Sequence, residues 1–135
     1  MSVSIYFQAH LNGNEQSIET TKILECFSPY LKDKCESGAT LYFDNQSSSF
    51  LSLDINSPSV SHLAIERPCG DAREAECILK MTKLGNFVAF EPGYEKVIIF
   101  NQSTIDNCPQ DMKESILEST GFELIENVEQ FKNRY

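Results

Sequence analysis

Val3, Ile5 and Phe7 alternate with Ser4 and Tyr6, the period-two pattern of a strand with one buried face, and Asn12-Gly13-Asn14 then turns the chain. A helix is expected next. Asn14 or Ser17 can cap it, Ile23, Leu24, Phe27 and Leu31 recur at helical spacing, and Glu15, Glu19, Lys22 and Glu25 fill polar positions. Pro29 should kink or shorten its end. Gly38 breaks the pattern, and residues 41–43, 50–55 and 60–65 read as three strands joined by loops rich in Ser and Asn, an antiparallel meander.

Asp71-Ala72-Arg73-Glu74 has the spacing of a capping box, followed by Ala75, Ile78, Leu79 and Thr82 on one face and a stop at Gly85-Asn86. Residues 87–90 and 96–100 flank Pro92-Gly93, whose backbone preferences suit the turn of a hairpin; the second run is apolar on both faces. Pro109 suits the first turn of another helix, with Met112, Ile116 and Leu117 as its apolar residues and Gly121 as its end. Residues 122–125 then extend, and Asn127 can cap a short last helix through Val128 and Phe131.

The predicted order is β-α-β-β-β-α-β-β-α-β-α. Hairpins mixed with helical crossovers argue for an α+β domain: a single, mainly antiparallel sheet with helices on one face. No repeat, low-complexity tract or Pro-rich linker interrupts the pattern, so one globular domain over residues 1–135 is expected. That length suffices to bury about two-thirds of the unfolded surface around one core.

Charge narrows the function classes. Twenty Asp and Glu against eleven Lys and Arg give a formal charge of -9, which repels nucleic-acid phosphates and favours encounter with a basic partner. No apolar run approaches the ~20 residues that span a bilayer, and the N-terminal sequence shows no basic leader, so neither membrane insertion nor secretion is expected. Two glycosylation sequons, at Asn45 and Asn101, are therefore read as chance matches. Cys26, Cys35, Cys69, Cys77 and Cys108 are odd in number and irregular in spacing, which suits reduced thiols in a cytoplasmic protein rather than disulfides.

No phosphate loop, nucleophile elbow, zinc-protease helix or kinase signature occurs, and no enzyme activity or cofactor is expected. Asp44, Gln46 and Ser48 alternate like calcium ligands but lack the Gly and terminal Glu of such a loop, and read as a polar hairpin loop. His10 and His62 have no ligand spacing to any Cys, so no metal site is predicted; both read as polar residues at strand ends. The best alternative for catalysis is Cys69, in Arg67-Pro68-Cys69-Gly70-Asp71, where a helix N-terminus and a nearby Arg would favour a thiolate, with His62 and Asp71 as partners. Against it, Asp71 is better used as a cap, and its charge raises a thiol pKa.

The coherent charge feature lies elsewhere. Asp111, Glu114 and Glu118 fall three and four residues apart, on one helical stripe opposite Met112 and Ile116; Glu123, Glu126 and Glu129 extend the excess. Like charges so placed cost a few tenths of a kcal/mol, about what a basic partner would offset. Asp111, Glu114, Glu118, Glu123 and Glu126 are the candidate partner-binding residues.

Leu63-Ala64-Ile65-Glu66-Arg67-Pro68 with Asp71 capping a helix, then Leu84-Gly85-Asn86, the Pro92-Gly93 turn and Pro109-Gln110-Asp111-Met112, resemble small acidic bacterial immunity proteins of polymorphic or contact-dependent toxin systems. The resemblance covers the second half of the chain. It implies a cytoplasmic protein that neutralises one cognate toxin domain, often a nuclease, and it assigns no contact residues. The element order after the first strand and the low pI also resemble class I type III secretion chaperones, which implies a homodimer holding an effector segment. The first strand and the C-terminal tail depart from that pattern, and the oligomeric state stays open.

Overall fold

The fold is given by a computed structural model, which describes residues 3–133. Its central strand is β1 (Ser4–Leu11), whose Ile5, Phe7 and Ala9 are buried while Tyr6 and Gln8 are exposed, as the alternation requires. Two two-residue strands follow: β2 (Asn14–Glu15) folds back on the end of β1, and β3 (Ile18–Glu19) leads into α1 (Thr20–Phe27). The helix then stops. Ser28–Tyr30 tightens into a 3-10 turn around Pro29, and β4 (Leu31–Cys35) begins where the sequence pattern placed more helix.

The correction at Leu31 has a local cause. Pro29 offers no N–H to continue the ladder, and Leu31 gains a cross-strand partner in Leu41 instead. β5 (Gly38–Asp44), β6 (Ser47–Ser52) and β8 (His62–Glu66) form the expected meander, with β7 (Ser59–Val60) pairing with β3 in a small separate sheet. Gly38 is required at its position: its φ is 145°, and a Cβ there would lie 1.9 Å from the Leu51 carbonyl oxygen.

α2 (Ala72–Met81) leads to the hairpin of β9 (Phe87–Phe90) and β10 (Val97–Ile99). The short α3 (Thr104–Asn107) and α4 (Gln110–Glu118) then cross to β11 (Phe122–Leu124), which pairs parallel with β10, and α5 (Val128–Lys132) ends the described chain. A parallel neighbour needs such a crossover, and α3 and α4 provide it. The sheet runs β11-β10-β9-β1-β8-β6-β5-β4, with β2 attached to β1. Every pair except β10–β11 is antiparallel, so the fold is α+β.

The helices divide between the sheet faces rather than sharing one. Ile5, Phe7, Leu41, Leu51, Ile65, Ala89 and Ile98 form the main core with Ile23 and Phe27 of α1, Ile78 of α2 and Phe131 of α5. Val88, Val97 and Ile99, on the opposite face, pack against Cys108 and Ile116 in a second cluster made by the crossover. This is why residues 97–99 are apolar on both faces. Among the described residues, no helix covers that second face over β8, β6 and the Tyr6–Gln8 part of β1, where Tyr6 is 49% exposed, while α3 meets the His10 end of β1.

Candidate protein-binding surface

α4 starts after Pro109, whose carbonyl accepts from the Lys113 amide at 2.9 Å. Its inward residues are Ile116, buried, and Met112, half-buried against Val88, Val97 and Ile99. Helical geometry then places Asp111, Glu114 and Glu118 outward, and all three are exposed. Lys113, the nearest base in sequence, bonds Asp106 at 3.2 Å, and Glu114 accepts from the Gln110 amide group. Asp111 and Glu118 have no ion pair among the described residues. Leu117, expected in the helix's apolar set, is 56% exposed beside them.

The other predicted acids are placed differently. Glu123 is half-buried on β11, where its carboxylate accepts from the Tyr94 hydroxyl. Glu126 and Glu129 are exposed but accompany α5, which packs on the opposite sheet face from α4. They do not lengthen the α4 stripe along its own face. The sequence made them neighbours because it shows linear distance, not which face a helix returns to.

At Cys69 the surroundings disfavour the thiolate that the catalytic alternative requires. The buried Glu74 carboxylate accepts from the Ser49 hydroxyl at 2.7 Å, from the Cys69 and Gly70 amides at 3.2 Å, and from the Cys69 thiol at 3.3 Å. Burial, and secondarily the neighbouring Glu74 and Asp71 carboxylates, push the thiol pKa up to about 11. The neighbouring Arg of the sequence reading, Arg67, is exposed; Arg73, on the helix itself, is bonded to Asp71 and Asp44 and holds the Asp71 carboxyl down at about 2. His62 lies across the sheet, exposed on the second face, while Cys69 packs against the main core. Asp44 accepts from the Gln46 amide within the β5–β6 turn, as a polar hairpin loop does.

Beside the crossover, the uncovered sheet face forms an open groove of about 880 Å³. Tyr6, Gln8, Ser52, His62 and Ala64 give its floor, and Glu15, Glu36 and Asp54 stand around it. Among the described residues, no Lys or Arg lines it. These residues escaped sequence reading because they come from five separate segments, and only the cross-strand register Gln8↔His62, Tyr6↔Ala64↔Ser52 gathers them.

Among the described residues, no group of His, Cys, Asp and Glu could hold a metal ion, and no helix is long and apolar enough to cross a membrane. Comparison with protein-family models, curated proteins and solved structures returns no match.

Proposed function

We infer that the chain is an immunity-type inhibitor: it binds a basic toxin domain in the cytoplasm and neutralises it by covering the toxin's working surface. The observation that carries this reading is α4, where Asp111, Glu114 and Glu118 are exposed on one stripe and Leu117 is exposed at its flank. An exposed apolar residue flanked on one side by a carboxylate stripe has the make-up of a protein interface, with desolvation at the apolar group and complementary charge beside it. The formal charge of -9 adds long-range attraction for a basic target, often a nuclease in systems of this kind. Raised thiol pKa at Cys69 weighs against a thiol enzyme.

The reading is tested by co-expression with a toxic product encoded directly upstream. Restored growth, together with a complex of micromolar affinity or better, is the expected result. Failure of every neighbouring product to bind would overturn it.

A further inference from the structure

We propose that the groove on the uncovered sheet face is a second docking site, which takes an extended, Lys- or Arg-bearing segment of the basic partner. The proposal rests on the protein-binding reading for the origin of that segment, and on the groove alone for its chemistry.

Three features of the groove select this occupant. First, the floor is sheet surface, with β1, β8 and β6 already paired on both sides, so a segment lying there is held by side chains and not by strand addition. Gln8, Ser52 and His62 supply the hydrogen-bonding groups that an extended main chain needs. Second, Glu15, Glu36 and Asp54 are exposed around the floor with no Lys or Arg among the described lining residues, so the site is complementary to cationic side chains. The exposed Tyr6 ring offers the same side chains an aromatic face. Third, about 880 Å³ falls near the top of the range for pockets that enclose drug-sized ligands, roughly 300–1,000 Å³, enough for a few residues of extended chain.

Charge alone would draw a cationic peptide to any acidic part of the molecule, so the experiment must separate the groove from the α4 stripe. The probe is a hexapeptide of alternating arginine and glycine, titrated into isotope-labelled protein while amide resonances are followed. Shifts are expected to gather at Gln8, Ser52, His62 and Ala64. The double variant Glu36→Lys, Asp54→Asn should weaken binding tenfold or more; the Asn keeps a side-chain oxygen for the Asn56 amide, which Asp54 holds at 3.1 Å. The variant Asp111→Lys, Glu114→Lys, Glu118→Lys should weaken it less than threefold, although it changes net charge by more. Shifts confined to α4, or a larger loss in the α4 variant than in the groove variant, would overturn the proposal. Because the probe is synthetic, groove binding without a neighbouring toxin partner would sink the inhibitor reading and leave the groove standing.

Discussion

His10 illustrates how a single residue takes its chemistry from the fold. It follows Tyr6 and Gln8 on the outward side of β1, and the sequence suggests a polar residue at a strand end. Instead it is buried, because the chain folds back there: β2 pairs alongside, and Asn107 of α3 accepts from the Asn12 and Gly13 amides through its side chain and main chain. Among the described residues, neither ring nitrogen has a hydrogen-bond partner. Burial lowers the pKa from 6.5, opposed in part by Glu15. The unfolded chain therefore takes up a proton that the folded chain resists, so this contribution to stability is complete above pH 6.5 and is lost as pH falls through 6.5 toward the lowered folded value. The melting temperature should decline between pH 7 and 5, and His10→Phe should flatten that decline; an equally steep slope in the variant would show that His10 is not its source.

Elements were legible wherever they were made by neighbours in sequence. The alternation of β1, the meander, the β9–β10 hairpin and the bodies of the longer helices follow from periodicity and turn residues, but neither Asn14 nor Ser17 caps α1, which starts at Thr20 because residues 14–15 and 18–19 pair as strands first. The strands β2, β3 and β7 were not, since two residues carry no period, and β4 was hidden because Leu31 fits a helical pattern that Pro29 interrupts. The capping box shows the boundary between the two cases. Asp71 caps α2 by accepting from the Arg73 amide at 2.8 Å, which its spacing foretells. Glu74 instead reaches past the cap to Cys69 and Gly70 and sideways to Ser49 on β6, which no local motif encodes. One carboxylate thus ties a helix, a loop and a strand together. Glu74→Ala should cost about 2–4 kcal/mol, because it leaves buried donors without an acceptor, and Glu74→Gln should recover part of that loss. Chemical denaturation decides the matter: a loss well under 1 kcal/mol for the Ala variant would mean that water replaces the carboxylate freely.

For the whole molecule, the decisive feature is how the sheet's second face is shared. Crossover helix α4 covers β9 and β10 and turns its acids outward, while the groove beside it stays open. Sequence alone gave the stripe, because three and four residues are helical neighbours; it did not give the groove, which exists only through strand register. The central claim is that this acidic surface recognises a basic protein. Exposed charges act mainly on encounter, over a Debye length of about 10 Å at 0.1 M salt, and less on the hold of the final complex. They also contribute little to folding, with surface charge changes usually within about 0.5 kcal/mol. The most direct test is the association rate of Asp111→Lys, Glu114→Lys, Glu118→Lys with the toxin domain at two salt concentrations, alongside its melting temperature. The account predicts slower association, a flatter salt dependence and an almost unchanged melting temperature; an unchanged association rate in the folded variant would contradict it.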